Sequence, residues 1–175
     1  PSLLSASWDP FGSNANYNFG VTRFNPKGLT QDYSQIYLNG LPFNNLSNGR
    51  YFYSLWGGLN DVFKSKYSQH GLNTTDYGIG GFAGQQDIDL RASSQRKQTK
   101  ATLSTSNRTY QYRAMLTHSS GMSQKGWAYS LSLSRRWGSG GYIEGTYYDA
   151  YAYFASVEKK INDKHSLNAV TFAAP

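Results

Sequence analysis

The segment Gly126–Trp137, with the sequence GWAYSLSLSRRW, constrains the fold more than any other stretch of the chain. Large apolar side chains alternate there with small ones: Trp127, Tyr129, Leu131 and Leu133 form one set, and Ala128, Ser130, Ser132 and Ser134 form the other. This period of two predicts a β-strand with one apolar and one small, polar face. Trp127 and Trp137 lie ten residues apart on the apolar face. At a tilt near 40°, ten strand residues rise about 25 Å, the height of the apolar band of a transmembrane β-barrel.

Four further segments are predicted to be strands, at residues 99–104, 110–117, 151–158 and 165–173. In the third of them Tyr151 and Tyr153 share the aromatic face. In the second, Arg113 lies on the opposite face, between Gln111 and Met115. Five strands cannot close a membrane barrel, because an open edge leaves backbone groups unpaired in lipid. Either the chain holds part of a larger barrel, or these strands form another kind of sheet.

Composition and charge agree with a β-rich chain that has two regions. Aromatic residues make up 16% of the sequence, hydrophobic residues only 38%, and the mean hydropathy is −0.61. No apolar run reaches the length of about 18 residues that a transmembrane helix needs. Residues 1–92 hold six Lys and Arg against six Asp and Glu, whereas residues 93–175 hold eleven against four, so the second region carries the whole net charge of +7. This asymmetry predicts two functional regions.

The first region is predicted to be mixed α/β. Short segments alternate there with turn residues, and Asn39-Gly40 predicts a tight turn after a strand at residues 35–38. One short helix is predicted over residues 59–63, capped by Asn60 or Asp61.

A glycine cluster ends this region. Residues 78–83, GIGGFA, fit the pattern GxGxxA of dinucleotide-binding turns. That turn follows an apolar strand and begins a helix, whereas here polar residues precede the cluster and the alternating GQQDIDL follows it. The cluster is therefore predicted to be a flexible joint between two β-regions, formed by Gly78, Gly80, Gly81 and Gly84 and followed by Asp87.

No arrangement of residues predicts catalysis. His70, His118 and His165 are isolated, and there is no Cys, so neither a metal site nor a cofactor is predicted. The protein is predicted not to be an enzyme. An alternative function follows from its basic, aromatic-rich composition: a soluble β-protein could stack the bases of single-stranded nucleic acid, or sugars, on aromatic side chains. The signatures of common RNA-binding modules are missing.

Several segments, in order along the chain, resemble TonB-dependent outer-membrane receptors. YGIGGFAGQQDI at residues 77–88 resembles the end of the plug domain, where a pattern like YGxxAxGGxINI leads into the barrel. RFNPKG at 23–28 and IYLNGLP at 36–42 resemble earlier plug segments, with Arg23, Gly28, Asn39, Gly40 and Pro42 at motif positions. NRTY at 107–110, GWA at 126–128 and SRRWG at 134–138 resemble early barrel strands of the large receptors of Bacteroidetes.

This resemblance implies that residues 1–92 are the later part of a plug domain and residues 93–175 the first four to five strands of a barrel that usually has 22. It implies active uptake of an extracellular nutrient, such as a glycan, a peptide or a metal complex, across the outer membrane of a Gram-negative cell. The implied partners are the TonB energy-coupling complex, outer-membrane lipids and a surface lipoprotein or another outer-membrane subunit, with no nucleic acid. The glycine joint would separate plug from wall, and Arg113 would face the lumen. The membrane-girdle aromatics would be Trp127, Tyr129, Trp137, Tyr151 and Tyr153.

Overall fold

A computed structural model of the protein describes residues 29–69, 71, 74–106, 110–140 and 144–175. Four short strands come first: β1 (Gln35–Leu38), β2 (Leu41–Pro42), β3 (Lys66–Gln69) and β4 (Gln85–Ile88). They form one sheet in the order β2-β1-β4-β3. The predicted tight turn between β1 and β2 is confirmed, because Asn39 and Gly40 have φ angles of 49° and 82°. A two-residue type I′ turn requires positive φ at both positions.

The residues that follow the glycine cluster form a strand. β4 begins at Gln85, directly after Gly84, whose φ is 108°. A dinucleotide-binding turn needs a helix at this place, because the helix N-terminus holds the pyrophosphate. The prediction that the cluster is not such a turn is therefore confirmed.

The described residues contain no α-helix, only 3₁₀ helices at Gln31–Tyr33, Tyr53–Trp56 and Ala92–Ser94. No α-helix forms over residues 59–63, where one or two helical turns were predicted. A single turn is closed there by the N–H of Phe63, which donates to the Leu59 carbonyl at 3.2 Å. The backbone there forms turns, in which the N–H of Leu59 donates to the Trp56 carbonyl and the N–H of Val62 donates to the Leu59 carbonyl, both at 3.1 Å. Five residues make too few hydrogen bonds to offset helix nucleation. Over its described residues the chain is therefore mainly antiparallel β-sheet rather than mixed α/β.

A second, larger sheet follows the short strands. It consists of β5 (Gln98–Thr105), β6 (Tyr112–Ser119), β7 (Trp127–Gly138), β8 (Tyr148–Lys160) and β9 (Ser166–Ala173). All neighbours are antiparallel, and the strand order β5-β6-β7-β8-β9 follows the chain. The five strands predicted after residue 93 are confirmed.

The described residues divide into two compact units. The first contains the described residues of 29–36, 42–51 and 68–86, and the second contains those of 37–41, 52–67 and 87–175. In the first unit the Asn44 side chain ties the backbone together: its carbonyl oxygen accepts the N–H of Ile36 at 2.9 Å, and its amide nitrogen donates to the carbonyls of Ser34 and Gly49 at 2.8 and 2.6 Å. The domain boundary predicted after residue 92 stays a prediction.

In the second unit, residues 52–67 pack on one face of the large sheet. The Phe63 ring stacks on Trp56 at 5.4 Å between centroids. The same ring makes edge-to-face contacts with Phe154 of β8 and Phe172 of β9, with ring centroids 6.1 and 5.2 Å apart. Leu59 and Val62 are fully buried in the same segment. Each Å² of apolar surface removed from water stabilises the folded state by roughly 25 cal/mol. The burial of these side chains therefore fixes the segment on the sheet.

Candidate functional site: the two faces of the large sheet

The large sheet has an apolar face that is exposed. Along β7 the outward residues are Trp127, Tyr129, Leu131 and Leu133, and neighbouring strands add Leu103, Leu116, Tyr151, Tyr153, Val157 and Leu167. Leu103 is 84% exposed and Leu133 is 61% exposed. Monomeric soluble proteins rarely expose a contiguous apolar surface of this kind. Something other than the described residues is expected to cover it.

The opposite face, called here the covered face, is buried and largely polar. It carries Thr117, Ser119, Ala128, Ser130, Ser132, Ser134, Ala152, Phe154, Ser156 and Glu158. Its hydroxyls pair across strands, Thr117 with Ser132 at 2.8 Å and Ser119 with Ser130 at 2.7 Å. Small side chains leave room for the packed segment 52–67. The alternation predicted for β7 is therefore confirmed, with the apolar set outward.

The Trp137 end of the apolar face combines aromatic rings with charge. Arg135 donates to both carboxylate oxygens of Asp149, at 3.0 and 2.9 Å. Its guanidinium carbon lies 5.5 Å from the Trp137 ring centre and 5.0 Å from that of Tyr151. Tyr112 lies beside Trp137, with ring centres 5.8 Å apart. Cation–π contacts and the ion pair hold these side chains together.

The Trp127 end has a similar composition. The Lys159 ammonium lies 4.9 Å from the Trp127 ring centre and donates to the carbonyl of Lys125 at 2.7 Å. The His118 ring lies 5.6 Å from Tyr129. The five aromatic residues predicted to form membrane girdles thus lie on one face, with Trp127 and Trp137 at its two ends. Their role as girdles stays a prediction.

Arg113 lies on the covered face, as expected from its alternation with the apolar residues of β6. Its register partner across β6 and β7 is Arg136, so two arginines stand opposite each other on this face. The sequence alone did not pair Arg136 with Arg113. The pattern already contained the signal, because residue 136 follows Ser132 and Ser134 at a spacing of two.

The glycines of the predicted joint have different local roles. Gly80 and Gly84 have positive φ angles of 79° and 108°. At Gly81 a Cβ atom would lie 2.8 Å from the Tyr33 carbonyl oxygen, so only glycine permits this close approach of two backbones. Gly78 forms an isolated bridge with Thr75, and Asp87 lies in β4.

The residues that resemble plug motifs are only partly described. Asn39 and Gly40 form the β1–β2 turn, and Pro42 ends β2. The side-chain oxygen of Asn39 accepts the N–H of Leu90 at 2.7 Å. Arg23 and Gly28 lie outside the described residues.

Comparison with protein-family models, with curated proteins and with solved structures finds no match to the chain. Among the described residues, no three His, Asp or Glu side chains come close enough to hold a metal ion. No helix in the same part of the chain has the length and apolar character needed to cross a membrane.

Proposed function

We propose that the chain is part of a TonB-dependent outer-membrane transporter. In this proposal β5–β9 form part of the wall of a transmembrane β-barrel, and residues 52–67 belong to a plug on its inner side. The observation that carries the proposal is the inverted burial of the large sheet. Leu133 is 61% exposed, whereas its neighbour Ser132 is 1% exposed. Lipid would cover the outward leucines, while a plug or a polar lumen suits the serines.

The two ends of the apolar face also support a membrane position. Trp127 and Trp137 lie at opposite ends of β7, and each is accompanied by a cationic side chain, Lys159 or Arg135. Tryptophan, tyrosine and long basic side chains favour the boundary between lipid tails and water. The leucines between the two ends match the tail region of the bilayer.

The transport function rests on the resemblance to TonB-dependent receptors and on the packing of residues 52–67. A nutrient would bind on the extracellular side of the plug, and the TonB complex would pull on the plug to open a path. The glycine joint at residues 78–84 would let the plug move while β5–β9 stay in the membrane. A surface lipoprotein or a further outer-membrane subunit would complete the assembly.

Spin labelling of single cysteines along β7 tests the membrane position. The sequence contains no Cys, so one Cys at each position from 129 to 134 gives an unambiguous scan of the complete protein in lipid bilayers. The outward positions 129, 131 and 133 should collide often with oxygen, which dissolves in lipid, and rarely with a water-soluble nickel complex. The inward positions 130, 132 and 134 should be protected from both.

Two results would contradict the proposal. One is frequent collision of the nickel complex with labels at 129, 131 and 133 in the bilayer sample. The other is a complete protein that is folded and monodisperse in buffer without detergent. Salt-sensitive binding of a single-stranded oligonucleotide by that soluble protein would instead support the alternative of a nucleic-acid-binding β-protein.

A further inference from the structure

The covered face contains a cluster of hydrogen-bond donors without acceptors. Six buried polar atoms on this face have no hydrogen-bond partner among the described residues. Ser156 Oγ and Asn168 Nδ2 lie on β8 and β9. The other four are Thr102 Oγ1, Arg113 Nε, Ser134 Oγ and Arg136 Nε, on β5–β7. The register places them in two adjacent rows. Arg113 is paired with Arg136, and Met115 lies between Thr102 and Ser134. A buried polar group without a partner is costly, so a cluster of four requires an explanation.

The two arginines give the cluster a positive charge. Arg113 and Arg136 are direct cross-strand partners, and like charges in this position destabilise a sheet. The ion pairs in the described part of the chain engage Asp32, Asp61, Asp89, Asp149 and Asp163 with other basic residues. Neither guanidinium of the pair therefore meets a carboxylate in those residues.

Neighbouring residues hold the two guanidiniums without neutralising them. The Arg136 guanidinium carbon lies 5.9 Å from the Tyr110 ring centre and 5.6 Å from that of Tyr148. A guanidinium held on aromatic faces keeps its in-plane N–H donors. The Arg113 guanidinium donates to the Met115 sulfur at 3.7 Å. The register partners of Arg136 and Ser134 on β8 are the small residues Ala150 and Ala152.

The segment above the cluster is also shaped for close approach. Gly58 lies over Ser134 and Arg136, and a Cβ atom there would be 2.6 Å from Ser134 Oγ and 3.2 Å from Arg136 Nε. Because Gly58 has no side chain, the backbone of this turn lies directly against one side of the cluster. Ser134 is 7% exposed, so its hydroxyl points into a protected space.

We propose that Arg113 and Arg136, assisted by Ser134, form a binding site for one oxyanion group, such as a carboxylate, a sulfate or a phosphate. Guanidinium groups bind these anions through paired, charge-assisted hydrogen bonds. A bound anion would give the Nε atoms of both arginines and the Ser134 hydroxyl a hydrogen-bond partner, and it would remove the repulsion between the two arginines. The anion is either free in solution or a group on a larger polar solute. Binding itself does not depend on the transporter proposal.

The test is calorimetric titration of the complete protein, in detergent micelles, with sodium sulfate at an ionic strength held constant with sodium chloride. We expect saturable sulfate binding that chloride does not replace. Arg113→Gln and Arg136→Gln should each weaken it about tenfold or more, as expected for loss of a charge-assisted hydrogen bond. Arg135→Gln is the matched control, because it removes the same charge from the adjacent residue on the opposite face. It should stay within about twofold of the wild type.

Three outcomes would overturn the site: no sulfate binding beyond that of chloride, wild-type binding in both glutamine variants, or equal weakening in Arg135→Gln. If Arg136→Gln fails to fold, Arg136→Lys replaces it. Lysine keeps the charge but loses the planar fork, so the affinity should fall while the fold is preserved, and unchanged affinity would contradict the site. A parallel titration with glucuronate and glucose distinguishes a free anion from an acidic solute. None of these outcomes affects the spin-label test of the membrane position.

Discussion

The hydroxyl pair Thr117–Ser132 shows how polar side chains are accommodated on the covered face. Their oxygens lie 2.8 Å apart, and Thr117 is 2% and Ser132 1% exposed. A buried hydroxyl that loses its partner costs about 1–3 kcal/mol. The pair is therefore stable as a unit, and each member depends on the other.

We predict that Ser132→Ala destabilises the protein by about 1–2 kcal/mol, because the Thr117 hydroxyl is left unpaired in a buried place. The double variant Thr117→Val, Ser132→Ala should recover most of this loss, since no unpaired hydroxyl remains. Denaturant unfolding of the two single variants and the double variant measures the coupling. Additive losses would show that the two hydroxyls do not depend on each other.

Asp89 gives a prediction about pH. Burial by itself raises its pKa, but Arg91 outweighs burial through hydrogen bonds and charge and holds the pKa of Asp89 below its ordinary value of 3.8. The Arg91 side chain donates to the two carboxylate oxygens at 3.0 and 2.7 Å. A carboxylate with a lowered pKa stabilises the folded state above its unfolded pKa, and this contribution disappears as the pH falls through the folded pKa.

The melting temperatures of wild type and Asp89→Asn should therefore differ most at neutral pH and converge as the pH falls from about 5 to about 2. Arg91→Gln is the control, because it keeps the carboxylate but removes its donor. This variant should lose less stability than the wild type over the same range. A difference between wild type and Asp89→Asn that does not change with pH would contradict the assigned role of Arg91.

At the scale of elements, the docking of residues 52–67 depends on one glycine. Gly58 has a φ of 91°, and a Cβ atom there would collide with Ser134 of β7. Gly145 also has positive φ, 81°, but a Cβ atom at that position would meet nothing within 4 Å. Alanine substitutions at the two glycines therefore separate two contributions to the loss of stability. Both include the cost of positive φ, and only the one at Gly58 includes a steric clash.

We predict that Gly145→Ala destabilises the protein by about 1 kcal/mol, the cost of a left-handed residue with a side chain. Gly58→Ala should cost about 1–3 kcal/mol more, because the added methyl group overpacks the contact with the sheet. Chemical denaturation of both variants provides the comparison. Equal losses would mean that residues 52–67 do not approach the sheet this closely.

The elements differ in how far the sequence predicts them. The alternation in β7 is local and strong, so its bounds and the directions of its side chains could be predicted. The helix over residues 59–63 could not be rejected from sequence, because Phe63 is held by Phe154 and Phe172, which are about 100 residues away in the chain. The Arg113–Arg136 pair depends on the register between β6 and β7. That register is set by packing and by the loop between the strands, and alternation alone does not specify it.

At the scale of the whole molecule, the apolar face is bounded along the strands by two aromatic ends. Trp127 lies level with Lys159, and Trp137 lies level with Tyr112 and Asp149. Trp56, in contrast, is buried against Phe63 in the segment on the covered face. In the proposed membrane position, these three tryptophans would report on different depths and sides of the bilayer.

Variants that retain a single tryptophan should distinguish these environments in bilayers containing brominated lipids. Trp127 and Trp137 should be quenched most by bromine near the headgroups, because indole rings favour the interface. Leu131→Trp should be quenched most by bromine deep in the tails. Trp56 serves as the control and should be quenched weakly by either lipid. Identical depth profiles for positions 127, 131 and 137 would contradict a transmembrane orientation of β7.

Each pairing in the large sheet joins strands that follow one another in the chain, and the longest hairpin, β7 with β8, has register partners from Trp127 to Gly138. Contacts between such close neighbours in sequence form without long loop closure, so the strands can be added in the order in which they are synthesised. Because two strands return the chain to the same end of the sheet, duplication or loss of a hairpin changes the strand number by two. The direction of the remaining strands and the division between their two faces stay as they were. The number of strands in the sheet can thus change by whole hairpins during evolution, while each strand keeps one apolar and one polar face.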